Sequence, residues 1–164
     1  MIGSARERVV RWTDPAEGLA FVRTSSGLDA MRAMMAGTIA PPPIAMLMNI
    51  RIVEVESGRA VFEGEPGEEH YNPIGLVHGG FALTILDSAL GCSIHAALEA
   101  GVGYATTDVH VRMIRPITKD TGIVRCEASL RHLGRTTAIA EGTLVDRAGK
   151  LLATGTTACA ILRR

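Results

Sequence analysis

The longest apolar run of the chain lies near its centre, from Gly75 to Leu98, and His78, Asp87 and His95 are its only charged or imidazole side chains. Within it Leu83, Leu86, Leu90, Ile94 and Ala97 recur at steps of three and four, which places them on one face of a helix. Thr84, Asp87, Gly91 and His95 follow the same steps as a second line. That line is small and polar and lacks the Lys, Glu and Arg of a solvated face, so it reads as a helix contact or a pocket wall. The run is about long enough to span a bilayer. A spanning helix would place an aspartate in lipid at about 3 kcal/mol, with no second apolar segment to shield it. The segment is therefore predicted to be a buried helix of a globular fold, and no membrane partner is expected.

Beyond this helix the period changes from about 3.6 to two. Val124, Cys126, Ala128 and Leu130 alternate with Arg125, Glu127, Ser129 and Arg131 over Gly122 to His132, the pattern of a half-buried strand. Arg135 to Val145 and Leu151 to Leu162, joined by Asp146 to Lys150, read as a hairpin. Tyr104 to Ile114 is a further strand, stopped at Arg115-Pro116 because proline cannot donate to a ladder. Upstream of the helix, Asn49 to Glu56 and Arg59 to Glu65 form a first hairpin around Ser57-Gly58. Two strands, one long helix and four strands predict an α+β fold in which an antiparallel sheet curls around a single helix. Leu28 to Ala36 is helix-prone, and Pro41-Pro42-Pro43 separates it from the first strand. The expected division is an extension over 1–40 and a domain over 41–164.

The chain has 164 residues, enough for one domain with a sizeable core. Its 17 basic and 17 acidic residues cancel, which argues against a nucleic-acid partner. Cys92, Cys126 and Cys159 lie in apolar surroundings without CxxC spacing and are expected to be buried free thiols in a reducing, cytoplasmic compartment. Met1 to Arg23 mixes Arg with Asp and Glu and has no apolar core of a secretory signal. His70, His110 and His132 show no metal-ligand spacing, and no metal or other cofactor is expected.

The start of the helix carries candidate chemistry. Pro73, Gly75, Gly79 and Gly80 punctuate a loop ending in His78-Gly79-Gly80, where glycines permit close approach of a ligand to the backbone. The free N–H groups of a first helical turn suit an anion or a polarised carbonyl oxygen. The run Asn72-Pro73-Ile74-Gly75-Leu76-Val77-His78-Gly79-Gly80, followed by Leu86-Asp87-Ser88-Ala89 and Gly91, resembles the signature of hotdog-fold acyl-CoA thioesterases, the PaaI-type and 4-hydroxybenzoyl-CoA thioesterase group. Weaker similarities follow at Tyr104 to Asp108, Arg112 with Arg115-Pro116, Leu133-Gly134-Arg135 and Asp146 to Gly149.

The resemblance implies a hotdog fold and hydrolysis of an acyl-CoA to a free acid and CoA. It implies Asp87 as the catalytic carboxylate, either general base for water or nucleophile. It implies the Gly79 N–H as oxyanion donor, with His78, Asn72 and Thr106 completing the catalytic set and Thr107 as the neighbouring alternative to Thr106. Gly80, Phe81, Arg131 and Arg135 are the expected substrate-binding residues, with Arg163 and Arg164 as further candidates for the CoA phosphates. A thiol leaves without a strong acid, since its pKa is about 8.5. Gly91 departs from relatives that carry a hydroxyl residue one turn after the carboxylate.

His78 and Asp87 are nine residues apart. In a helix that is about 13.5 Å along the axis and about 180° around it, so they face opposite sides. If both act on one thioester, a second copy must supply one of them, which predicts a homodimer and, by the resemblance, a homotetramer. A hotdog hydratase or dehydratase and a non-catalytic acyl-CoA-binding module are the alternative readings.

Overall fold

The computed structural model describes residues 3–163, with α1 (Pro15–Thr24), α2 (Gly27–Met35), α3 (Pro43–Met48) and α4 (Gly79–His95) as its α-helices. The strands are β1 (Ile50–Glu56), β2 (Arg59–Gly64), β3 (Gly103–Met113), β4 (Val124–Leu133), β5 (Thr137–Val145) and β6 (Leu151–Leu162). They form one antiparallel sheet in the order β1-β2-β4-β5-β6-β3, curved around α4 as the alternation predicts. The predicted β1–β2 and β5–β6 hairpins are both present.

The core lies between α4 and the sheet. Phe81, Ile85, Leu86, Leu90 and Ile94 on the helix meet Phe62, Val124, Cys126, Ala140 and Cys159 on the strands. Leu83, expected on the apolar face, is instead exposed, because the buried arc is centred on Ala82, Ile85, Leu86 and Ala89. The helix lies close to the sheet where Gly142 pairs with Gly155: a Cβ on Gly155 would stand 3.3 Å from side-chain atoms of Leu86 and Leu90. Among the described residues, no helix is long and apolar enough to cross a membrane.

The edges of the sheet are β1 and β3. Strand β3 contains a bulge: Thr106 pairs with Cys159 and Asp108 with Ala158, leaving Thr107 as the extra residue. Before the bulge, Tyr104 and Thr106 share the inner face with Ile161 and Cys159. After it, Val109, Val111 and Met113 occupy that side, opposite Thr157, Gly155 and Ala153.

The N-terminal region holds more structure than propensity predicts. Asp14 caps α1 by accepting from the Ala16 N–H at 2.9 Å, and Pro15 follows at the first helical position. Ser26 caps α2 through the Asp29 N–H. The triple proline does not simply separate: Pro43 opens α3, where its missing N–H costs nothing, and left-handed Asn49 closes it. Arg8 fastens the extended leader, donating to the Met46 and Leu47 carbonyls at 3.1 and 3.2 Å and pairing with Glu69.

Candidate active site

The loop before α4 is shaped by backbone constraints. Gly75 has φ +82, a left-handed conformation that favours glycine. Asn72 Oδ1 accepts from the Ile74 and Leu76 N–H groups, both at 3.1 Å, so this side chain folds the loop on itself. The Val77 N–H donates to the Ile117 carbonyl and the His78 N–H to that of His70, which pins the loop over the sheet.

His78 is the N-cap of α4. Its Nδ1 accepts from the Gly80 N–H at 2.9 Å, which puts the ring proton of the neutral imidazole on Nε2. The Gly79 N–H has no hydrogen-bond partner among the described residues, as expected for an orphan donor of a first helical turn. Asn72, His78 and Gly79 line a cleft of about 300 Å³ whose far wall is Met113, Ile114, Arg115 and Pro116. The arrangement offers an amide dipole and an imidazole N–H to a carbonyl oxygen.

Asp87 lies elsewhere. With Gly91, Cys92, His95, Tyr104 and Thr106 it lines a cavity of about 610 Å³. The polar stripe along α4 is thus a pocket wall at Asp87, Gly91 and His95, whereas the Thr84 hydroxyl turns back to the Gly80 carbonyl at 2.8 Å. The Thr106 hydroxyl is 3.4 Å from Asp87 Oδ1, while Thr107 donates to the Ala158 carbonyl at 2.9 Å. Burial, reinforced by the Asp87 carboxylate, pushes the Cys92 thiol up to about 12, so it stays protonated at neutral pH. Burial also lowers the pKa of His95, whose ring packs 5.4 Å from that of Tyr104.

Tyr104 explains the absence of a side chain at Gly91. A Cβ there would stand 3.0 Å from the Tyr104 hydroxyl, so the phenol occupies the space beside the helix one turn beyond Asp87. Burial, then the nearby Cys92, Cys159 and Asp87, raises the pKa of that phenol well above its usual value and keeps it a neutral donor. Neither this role nor the contribution of Met31, Met34 and Met46 to the cavity was among the sequence expectations. The three-residue recurrence of Leu28, Met31 and Met34 is the one local signal that α2 has an inward face.

Other expected binding residues stand apart from both cavities. Phe81 is buried in the core, its ring 5.0 Å from that of His70, because three residues of helix turn it away from His78 toward the sheet. Arg131 pairs with Glu141 on the outer face of the sheet, and Arg135 is exposed beyond β4. Arg163 Nε reaches the Arg135 carbonyl at 3.4 Å, and residue 164 lies outside the described residues.

Comparison with known proteins agrees with this architecture. Residues 74–153 match the Thioesterase superfamily. The chain is 30% identical over 105 residues to a 1,4-dihydroxy-2-naphthoyl-CoA hydrolase of Listeria monocytogenes, covering 64% of this chain and 84% of that one. It is 31% identical over 115 residues to human acyl-coenzyme A thioesterase 13, covering 67% and 78%. A phenylacetic acid degradation-related protein of Ralstonia eutropha JMP134 superposes with a TM-score of 0.72 at 28% identity, over 79% of this chain and 98% of that one. The Escherichia coli PaaI protein shares the fold at a TM-score of 0.72 and 19% identity, over 84% and 95%. A long helix held in a curved six-stranded sheet, an HGG turn at its start and these relatives lead to one conclusion: the chain belongs to the thioesterase superfamily, the hotdog-fold thioester hydrolases.

Proposed function

We propose that the protein hydrolyses acyl-CoA thioesters in sites that two copies of the chain build together. The observation that carries this reading is the separation of Gly79 and Asp87 into two cavities on one chain. A second feature supplies the means of joining them. Strand β3 is an open sheet edge that runs from Thr106, beside Asp87, to Met113, beside Gly79. Antiparallel pairing of β3 with its own copy would juxtapose the Thr106 end of one chain with the Met113 end of the other. Each carboxylate then meets the partner's helix start, and the two-fold axis yields two equivalent sites. The names of the curated relatives, a naphthoyl-CoA hydrolase and an acyl-coenzyme A thioesterase, support CoA thioesters as the substrate class.

In this site the Gly79 N–H, with the positive end of α4 behind it, polarises the thioester carbonyl and receives the developing oxyanion. Asp87 takes a proton from water as the water oxygen bonds to the acyl carbon, or attacks that carbon itself to give an anhydride that water then opens. The C–S bond breaks, and the proton returns to the CoA thiolate. His78 and Asn72 line the carbonyl end, and Thr106 lies where it can hold the water against Asp87. Oxygen-18 from solvent in a single turnover marks the nucleophilic route when water opens the anhydride at the Asp87 carbonyl carbon: the label then enters the Asp87 carboxylate, whereas a general base delivers it to the free acid.

The domain over 41–164 carries this chemistry, with 1–40 as an extension. The assembly follows as a dimer, or a dimer of dimers, in a reducing cytoplasmic setting. Mixing subunits tests the shared site. Asp87→Asn and His78→Ala homodimers are each expected to be strongly impaired. Random exchange between the two should recover about one quarter of the wild-type rate, because half of the dimers are hybrids and each has one complete site. A site confined to one chain recovers nothing on mixing.

A further inference from the structure

The cavity beside Asp87 has a wall for which the hydrolytic chemistry itself has no use. It is built by residues that precede the stretch matching the family, from α2, α3 and the turn between them. One end of this wall is fixed. The Gly27 N–H donates to the Leu98 carbonyl at 3.0 Å, and a Cβ at Gly27 would lie 1.7 Å from the His95 carbonyl oxygen, so the first turn of α2 is docked against the end of α4. The other end is more open to solvent. Met35 is 44% exposed, the chain turns at left-handed Gly37, and Ile44 and Met46 on α3 are 46% and 39% exposed.

The chemistry of this wall is uniform. Met31, Met34, Met35, Ile44 and Met46 line the cavity together with Phe62. Arg51 is engaged with Glu63, and the Asp87 carboxylate disfavours a second anion. Thioethers on unbranched chains change rotamer readily and follow the shape of an apolar ligand, where branched side chains would impose one. A volume of about 610 Å³ is in the range that encloses drug-sized ligands and far exceeds an acetyl group.

Resting on the thioesterase reading of Asp87, we infer that residues 31–46 form an adaptable, methionine-lined wall that receives the acyl group, admits flexible unbranched chains of differing length and sets their upper limit. The occupant is the substrate's own acyl chain, because the cavity opens on the carboxylate that attacks or activates water at its thioester end. Specificity then resides in a segment outside the stretch that matches the family, and it can change without altering Asp87 or Gly79.

The test is a series of saturated straight-chain acyl-CoAs from acetyl to palmitoyl, with benzoyl-CoA for comparison, assayed by thiol release on wild type, Met46→Trp and Met34→Leu. Met46 is partly exposed, so a larger ring there reaches the cavity without entering the main core. In Met46→Trp the ratio of long-chain to short-chain kcat/KM should fall about tenfold or more, the size of effect one or a few methylenes have in an apolar pocket. Met34→Leu, of similar volume but stiffer, should narrow the range of chains accepted at an unchanged optimum. An unchanged ratio, an equal loss on every substrate, or a wild type that turns over benzoyl-CoA while ignoring chain length overturns the inference. If wild type releases no thiol from any substrate, the hydrolytic reading fails by itself. The wall is then judged by the affinities of acyl-CoA thioether analogues for wild type and Met46→Trp, where the same shift in length preference is required.

Discussion

The hydroxyl of Thr106 approaches Asp87 Oδ1 at 3.4 Å, while that of Thr107, the next residue, is bonded to the Ala158 carbonyl of β6. Two adjacent threonines therefore make different predictions. Thr106→Val should lower kcat for thioester hydrolysis by about tenfold, the effect of losing one hydrogen bond near a charged group. Thr107→Val should leave kcat near wild type and lower stability by about 1 kcal/mol, read from urea melts. Equal kinetic losses in both would remove Thr106 from the site.

Asp87 is exposed and has no ion-pair partner among the described residues, so its replacement should separate chemistry from folding. Asp87→Asn is expected to reduce kcat by at least about 10²-fold, the usual contribution of a general base, and by more if the carboxylate is the nucleophile. Its thermal midpoint should stay close to that of wild type. A variant that retains its rate in a thiol-release assay would dismiss the carboxylate.

Much of this site was legible in the sequence because helices keep strict angular accounts. Nine residues from His78 to Asp87 were enough to put the two on opposite faces, and the structure has them in separate cavities. The same geometry, applied to Phe81, would have turned it away from the cleft; its place beside Gly80 in the motif concealed that. Arg131 has the guanidinium that suits a phosphate, yet it lies at the irregularity of β4 and pairs diagonally with Glu141, the partner of Ser129, which depends on the β4–β5 register rather than on local sequence. The cavity wall on α2 and α3 was out of reach for a similar reason. Leu28 to Ala36 showed a helix, but what that helix covers depends on the docking of Gly27 against the end of α4.

Docking of α2 is itself open to test. Gly27→Ala forces a methyl group against the His95 carbonyl, and the helix must lift from α4 or the variant must lose stability, by about 1 to 3 kcal/mol as for other overpacked sites. Hydrogen exchange should show increased opening across α2 before any change in β4 or β5. Ser26→Ala, which removes only the cap, is expected to cost about 1 kcal/mol.

Cys126, buried, and Cys92, only half-buried where burial was expected, give the protein an alkaline limit. Cys92 rises from 9.0 to about 12 through burial and the Asp87 charge, and Cys126 rises further, chiefly through burial. In the unfolded chain both thiols ionise above 9.0, while the folded chain holds them protonated. The unfolded state then binds fewer protons, so stability is complete below that pH and declines as pH climbs from it toward about 12. Denaturant melts across this window should show the decline, and replacing Cys92 and Cys126 with Ala should flatten it. A wild-type profile as flat as that of the double variant would show that the thiols are accessible and ionise in the folded state.

The bulge at Thr107 decides which half of β3 belongs to chemistry and which to packing. Up to Thr106 the even-numbered residues look inward; from Val109 onward the odd-numbered ones do. One extra residue thus inverts the parity of the strand midway, allowing a hydroxyl to face Asp87 and two valines to face the core in the same short segment. Deleting Thr107 would leave both halves in place, because Thr106, Asp108 and Val109 already pair with the consecutive residues Cys159, Ala158 and Thr157 and would then alternate without a break. The conflict arises if Thr107 is kept and forced into regular pairing: with Thr106 by the carboxylate, Asp108, His110 and Arg112 would take the inner places of Val109 and Val111, and with the valines inside, Thr106 would leave the cavity. Ironing out the bulge with every residue retained would thus act like a frameshift in which side of the sheet each residue occupies, and the loss of one codon at Thr107 would not.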